Sequence, residues 1–400
     1  MHGAFDDRDL NGATRTWVRD DLVFGYYVHH HGSGHRVRFA AIASSTAVPV
    51  VALCELDLGR MPHGSVRLPS DVPAGDVVDP TASGGVHWAP IDPAASARAR
   101  AVVDWIDDRR PSGVVVDVSC EMALLCRLAG RPTVVVRQHG DRDDAMHEMA
   151  HRSAIALLAP WPEVLESEAT PAWVRERTAY VGFIGVPSDP ARTSTSAAAQ
   201  PRDVRAGPDD VVVLWGSGGG RLEQGDLHRL AQAARPGIVR CLGDFGHVAE
   251  PPPGVELGGY ADDVDRELAH RPLVVASAGN NAVADAARAG CALVVIAQDR
   301  PFDEQRRHAE ALDRAGLAAP VAAGADVRAW SRALGVARER APRLAAVTDG
   351  EGSARAAAVV ERAFGERAEP EPTDRTVATV DGDARVATDL VGGGSPRGGG

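Results

Sequence analysis

The sequence predicts an α/β protein of two Rossmann-like domains with parallel sheets. Short apolar runs alternate with stretches of helical period, the pattern of a parallel sheet wrapped by helices. That alternation stops over residues 187–208, where Pro, Ser, Thr and small residues take over, and then restarts. A chain of 400 residues is long enough to bury two cores.

The elements follow in order. Residues 1–20 are polar and without period and read as a flexible arm. The first domain, 21–186, opens with a strand at 22–28, a His/Gly turn, a helix at about 37–45 and a strand at 48–53. A helix at 94–109, a strand at 114–118, a helix at 122–128 and a strand at 133–136 continue the alternation. After the linker at 187–208, the second domain, 209–367, begins with a strand at 211–215, a glycine turn and a helix at 227–234. Short strands at 237–241 and 255–257 lead to the most informative segment. There Leu273 to Ala276 form a strand, Ser277 to Gly279 a tight turn, an alanine-rich stretch a helix, and Ala292 to Ala297 the next strand. A helix from Ser353 to about Arg367 closes this domain. Residues 368–400 turn to Pro, Thr, Asp and Gly, bury too little to fold, and read as a disordered tail.

Composition narrows the function classes. Basic residues number 43 against 55 acidic ones, the net charge is -12, and there is no lysine. Schiff-base and P-loop lysine mechanisms are therefore excluded. The negative balance argues against an extended nucleic-acid surface. Cys54, Cys120, Cys126, Cys241 and Cys291 are odd in number, dispersed and without a C-x-x-C pair, and read as small core residues in a reducing compartment. Asp6, Asp7 and Asp9 stand where a signal peptide needs positive charge, and no apolar run approaches the roughly 18–20 residues of a spanning helix. The expectation is a cytoplasmic protein, with peripheral contact at the inner face of a membrane left open.

Several strand ends carry candidate chemistry. The turn at Gly279 and the following helix start offer unpaired N–H groups and a positive dipole end to an anion such as phosphate. Asn281 and Asp285 share a face of that helix, which places a carboxylate near a ribose diol. Gly216-Ser217-Gly218-Gly219-Gly220 after a strand suits a backbone cradle for a diphosphate, although it lacks the P-loop ending. His29-His30-His31-Gly32-Ser33-Gly34-His35 invites a metal reading, yet no Cys or carboxylate cluster lies beside it in sequence and adjacent histidines in a strand face opposite ways. His35 falls near a helix amino end, which disfavours the imidazolium and suits a general base; a capping role is the plainer alternative. Arg137-Gln138-His139-Gly140 and Asp303-Glu304-Gln305 follow strands and place polar groups at the sheet edges, to bind a substrate or to satisfy exposed backbone.

Taken in order, these segments resemble the GT-B glycosyltransferases of family 28, the MurG-like N-acetylglucosaminyltransferases. The carriers are His31-Gly32-Ser33-Gly34-His35, Val136 to His139, Gly216-Ser217-x-Gly219, Gly259 to Val264, Ala278-Gly279 through Asp285, and Glu304-Gln305. The resemblance implies the GT-B fold, two Rossmann-like domains facing across a cleft, and inverting transfer of a sugar from a UDP-sugar such as UDP-GlcNAc to an acceptor hydroxyl. It implies His35 as the base and Gly216, Ser217, Gly218, Tyr260, Ala261, Gly279, Asn280, Asn281 and Asp285 around the nucleotide. Glu304 and Gln305 would hold the donor sugar, with Gly32, Ser33, Gly34, Gln138 and His139 on the acceptor side, a lipid-linked acceptor among the candidates. Neither a cofactor nor a metal is expected, with helix dipole and amides meeting the diphosphate. The chain departs from the family in having Asp285 for the usual Glu, a His-rich first loop, and two amides at Asn280-Asn281. A sugar-nucleotide 2-epimerase and a non-catalytic sugar-nucleotide or glycan-binding protein are the alternatives.

Overall fold

In the computed structural model, residues 22–29, 34–58, 61, 63–70, 85–87, 93–185, 207–216, 220–261 and 263–365 are described. The expected arm at 1–20, most of the expected linker and the expected tail at 368–400 lie outside them. Within them the alternation of apolar and helical segments builds two parallel sheets. The first comprises β1 (Phe24–Val28), β2 (Val50–Cys54), β3 (Ser65–Arg67), β4 (Gly113–Asp117), β5 (Thr133–Val136), β6 (Ala156–Ala159) and β7 (Thr178–Tyr180). Their order is β3-β2-β1-β4-β5-β6-β7, so the winding reverses between β1 and β4. Helices α1 (Gly34–Ser45), α2 (Pro93–Arg109), α3 (Cys120–Leu128), α4 (Ala145–Ser153) and α5 (Ala172–Glu176) connect them.

The second sheet holds β8 (Val211–Trp215), β9 (Val239–Gly243), β10 (Val255–Gly259), β11 (Leu273–Ser277), β12 (Ala292–Ile296) and β13 (Ala319–Pro320), in the order β10-β9-β8-β11-β12-β13. It reverses between β8 and β11. The helices are α6 (Gln224–Ala233), α7 (Val264–Leu268), α8 (Asn280–Ala289), α9 (Glu304–Arg314), α10 (Val327–Ala346) and α11 (Gly352–Gly365). Strands β1, β2, β4 and β12 are buried along their whole length because helices cover both faces, which is why they read as continuous apolar runs.

Each sheet has a core on either face, and one core spans both halves: Trp161, Leu165 and Phe183 belong to the same buried cluster as Val283, Leu312 and Leu344. The final helix departs from its place in sequence. Read as the close of the second domain, α11 instead lays Ala356, Val360 and Phe364 into the core of the first sheet beside Phe24, Phe39 and Ile42. Helical period identifies the apolar face of a segment but not the core that receives it. The Phe364 and Phe24 rings lie 5.7 Å apart between centroids. Glu361 accepts hydrogen bonds from Thr46 Oγ1 (2.5 Å) and the Ala47 amide (2.9 Å), pinning the helix. Gly113 makes room for it, since a Cβ there would stand 2.1 Å from the Phe364 ring.

Truncating Phe364 to alanine should lower the unfolding free energy by about 3–5 kcal/mol. Gly113→Ala should cost about 1–3 kcal/mol by overpacking the same contact. Urea unfolding followed by fluorescence checks both, and unchanged midpoints would remove α11 from the first core.

Candidate active site

The carboxyl ends of the two sheets meet across a cleft. Gly34, opening α1 after β1, faces α8 after β11: a Cβ on it would stand 3.8 Å from Asn281 Nδ2. The loop after β5 meets the loop after β12, where the Asp141 amide donates to the Phe302 carbonyl (2.7 Å) and Arg307 donates twice to the Asp141 carboxylate (2.7 and 3.0 Å). Ligands of doubly wound sheets bind where the winding reverses, and both reversal points lie at this junction.

Asp117, the last residue of β4, is fully buried at that point in the first sheet. Its carboxylate accepts from Tyr26 OH (3.0 Å), Arg38 Nη1 (2.5 Å) and His35 Nδ1 (3.0 Å). Burial alone would raise its pKa, but the Arg38 charge and the bonds from His35 and Tyr26 outweigh that and hold it below the usual carboxylate value. Tyr26 is pushed well up by burial and by Asp117, so it remains a phenol and a donor. An ionised Asp117 can only accept, so His35 Nδ1 carries the hydrogen of this bond and Nε2 is left as the proton-accepting atom. The chain turns sharply after this carboxylate: Val118 adopts a left-handed φ of 62°, a conformation costing a β-branched residue on the order of 1–3 kcal/mol. Ser119 then caps α3 by accepting from the Met122 amide (3.1 Å).

Asp117, Arg38 and Tyr26 are the partners that sequence reading passed over. The sequence signal is a single carboxylate inside the strand read at 114–118, and nothing in its spacing sets it apart from an ordinary strand residue.

On the facing half, Gly279 is the N-cap of α8 and supplies no side-chain cap, so the first N–H groups of the helix are without a side-chain acceptor. Beside them Asn280 Oδ1 is buried with no hydrogen-bond partner. Gly216 follows β8, while Ser217 and Gly218, like Gly32 and Ser33, lie outside the described residues. Gly220 accepts from Trp215 Nε1 and Gln298 Nε2 through its carbonyl, both at 2.9 Å. Tyr260 is 66 % exposed after β10, and Ala261 packs half-buried against the core.

Five other expected contacts are engaged within the protein. Asp285 accepts from Arg288 (2.9 Å), which also binds Asp265 (2.6 Å), so a ribose would have to compete with that guanidinium. Glu304 accepts from Arg142 Nη2 (3.2 Å) across the cleft, and Gln305 is buried, accepting from the Gln298 amide (3.0 Å). With its amide oriented to satisfy its neighbours, Gln138 donates to Glu304 (3.2 Å) and accepts from Arg38 (3.2 Å). His139, expected beside an acceptor, instead lies buried in a stack, 4.0 Å from Trp161 and 4.1 Å from His308 between ring centroids. An apolar strand end explains the difference: the histidine closes the core beneath the loop instead of facing the cleft.

No protein-family profile and no curated protein sequence matches the chain. Solved structures do. A calicheamicin glycosyltransferase superposes with a TM-score of 0.59 at 19% identity, covering 87% of this chain and 100% of its own. The glycosyltransferase SnogD from Streptomyces nogalater gives 0.60 at 15% identity, with 86% and 99% covered. MurG of Acinetobacter baumannii gives 0.55 at 14% identity, with 85% and 99% covered. The chain thus has the two-domain GT-B fold. Of the same fold are a spinosyn rhamnosyltransferase solved with thymidine diphosphate and, separately, with spinosyn aglycone, and a Phytolacca americana enzyme solved with UDP-2-fluoroglucose and pterostilbene.

Buried histidines make the fold acid-sensitive. Burial lowers His308 to about 4 and His151 to about 3. Unfolded rings titrate near 6.5, so below that pH the unfolded chain holds more protons and stability falls as pH drops towards about 4. The loss per ring should reach about 1.4 kcal/mol per pH unit, with no change above pH 7 from these groups. Denaturant unfolding at stepped pH, with His308→Gln flattening the slope, checks this.

Proposed function

We propose that the chain is an inverting glycosyltransferase acting on a nucleoside diphosphate sugar. The observation that carries this reading is the His35–Asp117 pair at the β1/β4 reversal, opposite the uncapped amino end of α8. His35 Nε2 accepts the proton of an acceptor hydroxyl as its oxygen attacks the anomeric carbon, and the bond to the diphosphate oxygen breaks on the opposite face. Asp117 fixes the tautomer and stabilises the imidazolium. The departing diphosphate takes its negative charge to the N–H groups after Gly279, beside Asn280 and Asn281, and to the glycine-rich sequence Gly216-Ser217-Gly218. General-base action of this kind is worth typically about 10²–10⁴ in rate. One base–carboxylate pair suits transfer, whereas 2-epimerisation calls for further acid and base groups.

The donor in this reading is a UDP-sugar, such as the UDP-GlcNAc of MurG-like enzymes, with Tyr260 and Ala261 beside the base. Asp285 exchanges Arg288 for the ribose diol, and Glu304, with Gln305 behind it, exchanges Arg142 for sugar hydroxyls. Pyrimidine nucleotides in structures of the same fold support that donor class. Helix dipole and amides meet the charge of the leaving group, so transfer takes no metal. The acceptor enters on the side of Gly32, Ser33, Gly34 and Gln138, as a hydroxyl on a lipid carrier or on a small aglycone. The lipid-linked case brings a cytoplasmic protein to the inner face of a membrane. No helix among the described residues is long and apolar enough to cross one.

His35→Ala should abolish transfer while leaving UDP affinity unchanged, and Asp117→Asn should lower kcat by about 10²–10⁴ by allowing the wrong tautomer. Steady-state turnover with a panel of UDP-sugars and acceptors tests both; wild-type rates in either variant would refute the assigned base. Calorimetric titration with UDP, TDP, GDP and ADP should give UDP-selective binding that Asp285→Ala loses. If no nucleotide binds, the likeness to glycosyltransferases extends to fold only.

A further inference from the structure

A second constellation lies in the first half of the chain, and none of its residues takes part in the transfer proposed above. One ring nitrogen each of His87 and His147 and the sulfur of Cys120 all lie within 4.8 Å of one another. The three come from separate elements: His87 from the segment before α2, Cys120 from the first residue of α3, His147 from the first turn of α4. Each is anchored. The His87 amide donates to Glu121 Oε1 (2.7 Å), tying its segment to the start of α3. Asp144 caps α4, accepting from the Met146 and His147 amides (3.0 and 3.2 Å). The same carboxylate accepts from His87 Nε2 (2.8 Å) and His147 Nδ1 (2.5 Å).

We propose that His87, Cys120 and His147 form a three-ligand site for a divalent cation of the zinc class, with Asp144 orienting both imidazoles. Three observations carry it. Two histidines and a thiol are a zinc donor set, leaving a fourth position for water. One carboxylate grips the outer nitrogen of both rings, the arrangement that fixes the tautomer of metal-bound histidines and makes them better donors. The nitrogens left over are His87 Nδ1 and His147 Nε2, and the latter already faces a cation: Arg142 Nη1 donates to it at 3.0 Å. Arg142 keeps a partner outside both sites, the His139 carbonyl (2.9 Å), to hold it when that bond is given up. Zinc bonds of about 2.0–2.3 Å place tetrahedral ligands roughly 3.5 Å apart, so groups now within 4.8 Å of one another would have to draw closer on binding. On binding, Zn²⁺ replaces the Cys120 thiol proton, which leaves to solvent. The packing alternative is an aromatic cluster, since Phe302 lies 4.9 Å from both imidazoles. It accounts for the rings but not for the thiol or the shared carboxylate.

The test uses full-length protein made without an affinity tag and stripped by chelator. Titration with Zn²⁺ should show one tight equivalent with proton release, and Co²⁺ should give a thiolate charge-transfer band. Cys120→Ser should abolish that band, and Asp144→Asn should weaken zinc binding by about 10–100-fold. His87→Gln, on a segment outside the cores, should weaken it further, and circular dichroism verifies that each variant is folded. A His30→Ala/His31→Ala double variant should bind as the wild type does. Absence of binding in the wild type, binding unaltered by Cys120→Ser and His87→Gln, or binding lost with the double variant would each overturn the proposal.

Discussion

The site depends on one buried negative charge. Asp117 sits at the reversal point of the first sheet with no exposure, and a carboxylate there is tolerable only because three donors from β1 and α1 surround it. That requirement fixes much else. It demands Tyr26 on the neighbouring strand, sets α1 so that His35 and Arg38 both reach back, and accompanies a left-handed Val118. Leaving such a charge unpaired costs about 3–5 kcal/mol, so the orientation of His35 is enforced by the same energy that holds the sheet edge together.

From that carboxylate a line of polar contacts crosses the molecule. Arg38 bonds Asp117 and Gln138, Gln138 bonds Glu304, Glu304 bonds Arg142, and Arg142 bonds His147. Beneath it, Trp161, His139 and His308 stack, with His308 Nδ1 at 2.9 Å from the Ala278 carbonyl just before α8. The two halves are therefore joined by directional contacts around the cleft as well as by apolar packing. Glu304, assigned from sequence to the donor sugar, and Gln138, assigned to the acceptor side, complete this line, so a ligand reaching them would exchange one set of hydrogen bonds for another.

How far the sequence revealed this depended on contrast. Strands such as β4 and β12 were legible because both faces are buried and their runs are uniformly apolar. The unit from β11 through β12 was legible because Gly279 and Gly290 punctuate it, the latter in the left-handed C-cap that glycine favours. Helix α10 was not, since Gly335 and Pro342 interrupt its pattern, and α4 was not, because Ala145–Ser153 is dominated by polar residues. His35 and Gly279 were found from their places beside strands. Asp117 was hidden at the end of an apolar run, and His87, Cys120 and His147 are far apart in sequence with no spacing that binds them together. Only the fold brings such groups into register.

The return of α11 to the first sheet has a consequence for how the protein comes into being. A ribosome delivers β1 to β7 long before Gly352–Gly365, yet Phe24, Phe39 and Ile42 need Phe364 to finish their core. The half made first is completed last, and closing it joins contacts more than three hundred residues apart, the slow kind of step in chain topology. Until then, the nascent chain carries an open apolar face on α1 and β1. Completion of the first half therefore awaits α11, and the residues that hold His35 in place are secured only once Gly352–Gly365 has been synthesised.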